Sequence, residues 1–299
     1  MIDYLSKKLY WTRKIFDVTD SPFKVLLFRL GIFKECECGV RGIGAVKLTE
    51  NDLKNSFFEA ILYICSQDLG NDAKKTAKLF FDQKDEDIID LKSLRVNNVG
   101  LSLIFETFVE EPYDIPPTEN ERIIIDIGGS VGDTALYFAS KGYRVYSFEP
   151  VPEVYQTALQ NIGLNPHLAD RITFVNKAVS ASEGYLELSY PGINRSGNSS
   201  AYGEADERIT VESITLERIL NDYPVSNPYL LKMDCEGCEY EIINNADLSP
   251  FNEIILEYHP LEGMGPACLI ETLESKGFKL KKRVDNEIIG VGIIHAVKS

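Results

Sequence analysis

Three places in this 299-residue sequence put acids and a base where chemistry could be done. The first is Asp126-Ile127-Gly128-Gly129-Ser130-Val131-Gly132-Asp133-Thr134, a glycine-rich turn flanked by carboxylates. Glycines let the backbone bend sharply and let a ligand approach the peptide groups closely. A dinucleotide fingerprint needs the spacing G-x-G-x-x-G, so that pyrophosphate can rest on a helix N-terminus. Here Ser130 and Asp133 break either frame, and Asp126 and Asp133 put negative charge where a pyrophosphate would lie. A cationic ligand suits that pair of acids. The second place is Glu149-Pro150 in "FEP", where an acid at a strand end can accept both hydroxyls of a ribose. The third is "LLKMDCEGCEYEIINNA", residues 230–246. Lys232 and Asp234 share one face of a period-two strand there, and Glu236 follows in the next turn. A lysine buried beside two acids is costly unless the charges pair. The trio therefore reads either as a satisfied structural ion network or as a site. S-adenosylmethionine, with a sulfonium and an ammonium group and no phosphate, fits the first two places.

Such residues need strand ends to hold them. Arg122–Ile127 is the largely apolar run of a fully buried parallel strand, followed by a helix over Gly132–Lys141 and a strand over Arg144–Phe148. Pro152–Ile162 predicts a helix with proline in its first turn, and Ile172–Val179 a third strand. Alternating Gly184–Tyr190, strand-like Arg208–Ile214, helical Leu216–Asp222 and the buried run Tyr229–Asp234 follow. The series ends with helix Glu239–Ala246, strand Glu253–Tyr258, helix Ala267–Lys276 and a terminal strand pair joined through Asp285-Asn286. Alternating strands and helices with right-handed crossovers give an α/β fold, a doubly wound, mostly parallel sheet carrying an antiparallel C-terminal hairpin. Ligands in such sheets sit beyond the carboxyl ends of the strands, where strand order reverses.

Residues 1–112 have a different texture, with amphipathic stretches at Asn51–Gln67 and Asp72–Gln83 and a hairpin-like stretch between Gly31 and Lys47. The segment "EEPYDIPPTENER", with its prolines and polar cluster, marks the boundary. Residues 1–112 then form a mainly helical N-terminal extension or cap, and residues 113–299 the α/β domain. A formal charge of −15 repels phosphodiester backbones and anionic membrane surfaces, so neither nucleic acid nor membrane is the expected partner. No apolar run is long enough to span a bilayer and no leader-like segment opens the chain, which predicts a cytoplasmic protein. The six cysteines fit reduced thiols better than a disulfide framework. Cys36, Cys38, Cys235 and Cys238 could supply four zinc thiolates, but the first pair is closely spaced and far from the second, and no metal is expected.

From residue 113 to 262 the sequence resembles the FkbM family of S-adenosylmethionine-dependent methyltransferases. The resemblance rests on motifs in order: "IIIDIGGSVGDTALYFA", "VYSFEPVPEVYQTALQNIGLN", "AVSASEGYLEL", "SGNSSA", "ITLERIL", "LLKMDCEGCEYEII" and "IILEYHP". It implies a class I methyltransferase fold, Rossmann-like, and transfer of the sulfonium methyl group, usually to a hydroxyl of a small molecule, sugar or natural product. It also implies that Asp126, Gly128 and Gly132 form the loop at the methionine end of the cofactor, that Glu149 holds the ribose, and that Asp234 lies near the reacting methyl with Lys232 and Glu236 beside it. The family usually has Ala-Asn where Gly129-Ser130 stand. The cofactor contacts expected here are Asp126, Gly128, Gly129, Gly132, Asp133, Thr134, Glu149 and Pro150.

In-line methyl transfer requires alignment of the acceptor and, for a weakly acidic hydroxyl, removal of its proton. The candidate bases are Asp234, Glu257 and His259, and the expected catalytic set is Asp234, His259, Lys232 and Glu236. A variant of this reading has Asp234 and Glu236 holding magnesium. The segment "SGNSSAY" is either an acceptor-contacting loop or a surface turn, and a homo-oligomer is left open. Two other classes share the turn and the strand-end acid. One is a nicotinamide-dependent dehydrogenase or epimerase; the other is a nucleotide-binding scaffold without turnover.

Overall fold

The computed structural model describes residues 2–54, 57–66, 70–91, 93–99, 101–190, 208–286 and 290–299. The "SGNSSAY" segment lies outside the described residues. The chain divides into two compact units, Met1–Pro112 and Tyr113–Ser299.

The second unit is built on a seven-stranded sheet. Its strands are β1 (Ile123–Ile127), β2 (Arg144–Phe148), β3 (Ile172–Val175), β4 (Pro228–Met233), β5 (Glu253–Tyr258), β6 (Phe278–Asp285) and β7 (Gly292–Lys298), in spatial order β3-β2-β1-β4-β5-β7-β6. All neighbours from β3 to β5 are parallel, and β7 is antiparallel to both β5 and β6. Among the described residues five longer helices accompany them, α1 (Asp133–Ser140), α2 (Pro152–Gly163), α3 (Leu216–Asp222), α4 (Cys238–Asn245) and α5 (Pro266–Ser275), with a four-residue helix at Pro166–Ala169. The fold is the expected α/β doubly wound sheet with its C-terminal antiparallel pair. The chain enters at β1, winds outward through β2 and β3, then returns to place β4 on the other side of β1. The β1–β4 seam is therefore the switch point at which such sheets bind ligands.

Local sequence explains these elements. Every residue of β1 is buried, as a central parallel strand covered on both faces requires. Fully burying each of Ile124, Ile125, Leu230 and Leu231 contributes about 1.5–3 kcal/mol. Helix α2 starts with Pro152 in its first turn, where its missing N–H costs nothing. Thr215 caps α3 by accepting the Arg218 N–H at 3.2 Å. Edge strand β6 is exposed beyond Phe278 and carries Lys279, Lys281, Lys282 and Arg283, charges that discourage pairing with another chain.

One strand differs from expectation. The run predicted over Ile172–Val179 ends at Val175, and Ala178–Val179 joins a separate three-stranded sheet with Gly184–Ser189 and Arg208–Ile214. The interruption is Asn176, whose side-chain amide donates to the carbonyl oxygens of Glu149 and Pro150, both at 2.9 Å. That side chain competes with the backbone for ladder partners and turns the strand aside.

The first unit contains helices Ile2–Val18, Pro22–Arg29, Glu50–Lys54, Phe57–Ser66, Asn71–Gln83 and Leu101–Phe105, with a single π turn over Glu106–Glu110. Two antiparallel hairpins, Glu35–Val40 with Gly44–Thr49 and Ile88–Asp90 with Arg95–Asn97, complete it. Within the stretch predicted over Asn51–Gln67, the described residues Glu50–Lys54 and Phe57–Ser66 are helical. Phe28, Phe58, Phe80 and Phe105 are fully buried, so this unit has an aromatic core of its own.

Candidate active site

Strands β1 and β4 set Asp126 beside Lys232 in register. The Lys232 ammonium lies 3.0 Å from Asp126 Oδ1 and donates to the Gly128 carbonyl at 2.8 Å, and neither side chain is exposed. Asp126 Oδ2 accepts from the Thr134 hydroxyl at 2.8 Å and the Ser147 hydroxyl at 2.7 Å. Burial alone would drive the lysine toward its neutral form, but the charges of Asp126 and Asp234 outweigh it and raise its pKa above the ordinary value. Asp126, Thr134 and Lys232 thus face one another inside the seam and brace it. The turn they hold is tight. Gly128 has φ +79°, and a Cβ on it would run into the carbonyl oxygen of Asp234. The glycine turn after β1 and the acidic turn after β4 are therefore pressed together at backbone distance. At Gly129 a Cβ would meet the Ser147 hydroxyl, so an alanine there is incompatible with serine at 147 in this arrangement. Gly132, φ +80°, caps α1 and lies against Ala158 of α2, and Asp133 is buried in the first turn of α1.

Glu149 ends β2. Its Oε2 accepts the Ser130 N–H at 3.1 Å and its Oε1 the Val151 N–H at 2.9 Å. Burial pushes its pKa up to about 7 against the pull of those two N–H groups. An ionised carboxylate has about four lone-pair sites, so two remain for a diol. Ser130 itself sits at φ +45°, and its hydroxyl is buried with no hydrogen-bond partner among the described residues. A buried hydroxyl in that position calls for an outside partner. A carboxylate with spare lone pairs, an unmet hydroxyl and an acidic rather than phosphate-binding turn fit a nucleoside that carries positive charge.

Beyond the ends of β4 and β5 lies a second group of side chains. The Tyr113 hydroxyl donates to Asp234 Oδ2 at 2.9 Å and stands 3.4 Å from Glu257 Oε2. His259 has a carboxylate at each ring nitrogen, Glu236 at 3.4 Å from Nε2 and Glu239 at 3.3 Å from Nδ1. Burial opposes its charge, but Glu239, Asp234 and Glu236 overcome that and raise its pKa to about 10. The ring is an imidazolium at neutral pH, a donor at both nitrogens. Burial raises Glu236 to about 8, and burial with the Asp234 charge raises Glu257 to about 8. Glu239, fully buried, accepts the N–H groups of Cys235 and Gly237, each at 2.9 Å, and so shapes the turn that presents Glu236 at φ +56°. Asp234, Glu257 and His259 each offer one ligand atom within 4.8 Å of the others, a grouping a divalent cation could bridge. A metal there would first have to displace the proton from His259, because an imidazolium has no lone pair to give.

Cys235 and Cys238 are joined by a disulfide that closes this turn, contrary to the expectation of reduced thiols throughout. Their proximity follows from the turn itself, which brings the two Cα atoms to 5.5 Å, within the usual bridging range. So bonded, they are unavailable to zinc. Cys36, Cys38, Cys65 and Cys268 are free.

The expected residues fall into three places. Asp126, Thr134 and Lys232 form the internal brace; Gly128, Gly129, Gly132, Asp133, Glu149 and Pro150 surround the turn; Asp234, Glu236 and His259 form the outer cluster. Sequence reasoning missed Tyr113, Ser147, Glu239 and the disulfide. Ser147 was within reach, because it lies two residues before Glu149 on a strand and therefore on the same face. Tyr113 had no local signal, since its partners lie 121 and 144 residues away.

A model described as the methyltransferase FkbM domain matches residues 126–280, just over half of the chain. The chain is 28% identical over 213 residues to methyltransferase sdnD of Sordaria araneosa, covering 59% of this chain and 81% of that protein. It is 23% identical over 185 residues to the hexuronic acid methyltransferase AglP of Haloferax volcanii, covering 61% of this chain and 71% of that one. Among solved structures, Aeropyrum pernix fibrillarin in complex with natively bound S-adenosyl-L-methionine is 18% identical with a TM-score of 0.39, covering 62% of this chain and 69% of that one. The motifs that run in order from β1 to β5 are thus matched by a family model spanning the same strands and turns, and the chain belongs to the FkbM methyltransferases.

Proposed function

We propose that this S-adenosylmethionine-dependent methyltransferase methylates a hydroxyl oxygen of a small molecule or sugar, with Asp234 as the general base. The observation that carries the proposal is the position of Asp234, whose backbone abuts Gly128 of the cofactor turn and whose carboxylate faces outward to Tyr113 and Glu257. The hexuronic acid methyltransferase among the relatives supports a carbohydrate acceptor.

When bound, S-adenosylmethionine supplies an electrophilic methyl group on sulfur. Glu149 and Ser130 hold the nucleoside end, and the Lys232–Asp126 brace keeps the two turns in register. The acceptor hydroxyl lies against Asp234. Asp234 would take the proton of that hydroxyl, leaving its oxygen free for the methyl group that the bound cofactor would supply. His259, its pKa raised by Glu239, Asp234 and Glu236, offsets the negative charge of the cluster, while burial raises Glu257 and Glu236 to about 8. Asp234 is the carboxylate of the group whose backbone abuts Gly128, and it accepts from the Tyr113 hydroxyl. Lys232 acts through Asp126 and the turn, as a positioning residue.

The test is incubation with S-adenosylmethionine and a panel of hydroxyl acceptors that includes hexuronic acids, with products read by mass spectrometry. A methyl ether on one of these is expected. Methylation confined to nitrogen or carbon acceptors would overturn the oxygen assignment while leaving the family membership intact.

A further inference from the structure

The proline-rich stretch that opens the second unit is not a loose tether. The Tyr143 hydroxyl donates to the Pro116 carbonyl at 2.8 Å, the Lys141 ammonium to the Ile115 carbonyl at 3.0 Å, and the Thr118 N–H to the Lys141 carbonyl at 2.8 Å. Ile115 is buried, and Tyr113 is only 3% exposed. So held, Tyr113 reaches two groups of the site at once. Its ring has the Lys232 ammonium 5.1 Å from its centroid, within cation–π range. Its hydroxyl donates to Asp234 Oδ2 at 2.9 Å and stands 3.4 Å from Glu257 Oε2. A hydroxyl has one proton to give, and only the shorter of these distances lies within the usual O–H···O range. Asp234 therefore receives it.

What that bond does follows from the freedom left to Asp234. Its main chain is fixed on both sides: the N–H donates to the Ile127 carbonyl at 2.9 Å, and its carbonyl oxygen lies 1.7 Å from where a Cβ on Gly128 would stand. The carboxylate keeps its own torsions, and the terminal torsion of an aspartate is broad, without sharp staggered wells. A base that swings loses alignment with the hydroxyl it serves. A donor on Oδ2 fixes the carboxylate plane and leaves Oδ1 to an acceptor. A phenol does this as a neutral group, with less cost to the basicity of the carboxylate than a lysine or arginine in the same place. The nearby cations are committed elsewhere, Lys232 to Asp126 and Gly128, and His259 to Glu236 and Glu239. We propose that Tyr113 is the positioning residue of the general base, its hydroxyl holding the Asp234 carboxylate in line with the acceptor. This role rests on Asp234 being the base. Residue 113 lies ahead of the span 126–280 that the family model matches, so the match assigns it nothing.

The experiment is a double-mutant cycle on the full chain, with Tyr113→Phe, Asp234→Asn and the two combined. Methyl ether formation from S-adenosylmethionine is followed by mass spectrometry on D-glucuronic acid and the other hydroxyl acceptors of the panel. Tyr113→Phe keeps the ring over Lys232 and removes only the hydroxyl. It should lower kcat about 10–100-fold, with KM and the calorimetric affinity for S-adenosylhomocysteine each within about threefold of the parent and unfolding equally cooperative. In Asp234→Asn the same change should lower the rate by less than about threefold, because no base is left to orient. Parent-like kcat in Tyr113→Phe overturns the role, and so does an equal loss in both backgrounds, which would make Tyr113 act independently of Asp234. Weakened nucleoside affinity or lost cooperativity in Tyr113→Phe would make it a packing residue and overturns the role as well. Full turnover in Asp234→Asn is a separate outcome: it removes the base itself, and the positioning role falls with it. A parent chain that forms no methyl ether on any of these acceptors has the same consequence before either variant is made.

Discussion

Asp234 and His259 divide the work of the outer cluster by charge. Asp234 is the group proposed to take the acceptor's proton, whereas the His259 imidazole, its pKa raised to about 10 by the acids around it, already holds one. Asp234→Asn should therefore lower kcat by about 10²–10⁴-fold. Its affinity for S-adenosylhomocysteine, measured by calorimetry, should stay within about threefold, because the proposed nucleoside contacts are Glu149 and Ser130. Full turnover in Asp234→Asn would remove that residue as base. Glu149 gives a second expectation with a definite sign. If Glu149 holds the ribose as proposed, its ionised form is the one that accepts from both hydroxyls, and burial raises its pKa to about 7. Cofactor binding should be flat above that pH and weaken about tenfold per unit below it, as each binding event must first release a proton. Glu149→Gln should weaken binding about 10–100-fold, the loss of charge assistance on one or two hydrogen bonds, and make it independent of pH between 5.5 and 8.5. A titration that leaves the pH slope intact in Glu149→Gln would place the proton elsewhere.

The elements that carry these residues were legible in proportion to how local their causes are. Strand β1 announces itself as an unbroken apolar run, and β4 as a run interrupted only by Lys232, because a parallel strand covered on both faces leaves no polar side. The breaks have other causes. Strand β3 stops at Asn176 through bonds to Glu149 and Pro150, which a one-dimensional pattern does not contain. The Cys235–Cys238 link follows from a turn that Glu239 shapes from within, so the spacing alone reads as two thiols. That link closes a four-residue loop, and loop entropy of that size is worth about 2 kcal/mol. Reduction should expose two further thiols to labelling and lower the unfolding free energy by about that amount, measured by denaturant titration with and without a dithiol reductant. Equal thiol counts before and after reduction would show that the cysteines are free in solution. Gly128→Ala should do worse at the adjoining turn. It demands an unfavourable φ and drives a methyl group into the Asp234 carbonyl, so a loss of more than about 2 kcal/mol together with loss of cofactor binding is expected.

At the scale of the whole chain, every residue assigned here to cofactor or proton transfer lies between Tyr113 and His259, inside the second unit. That unit has its own core, with Ile125, Phe148, Leu231 and Phe251 almost wholly buried, and the boundary falls just before the tyrosine that donates to Asp234. We propose that residues 113–299 are the transferase domain and that residues 1–112 add a separate surface to it. A unit with its own core and its own site should fold alone. Residues 113–299 expressed by themselves should unfold in a single cooperative transition and bind S-adenosylhomocysteine within about threefold of the full chain. Aggregated or unfolded fragment would mean that the first 112 residues complete the core of the second unit. A folded fragment that no longer binds S-adenosylhomocysteine would mean that the site needs residues before Tyr113, so the two readouts separate the division of the chain from the placement of the site.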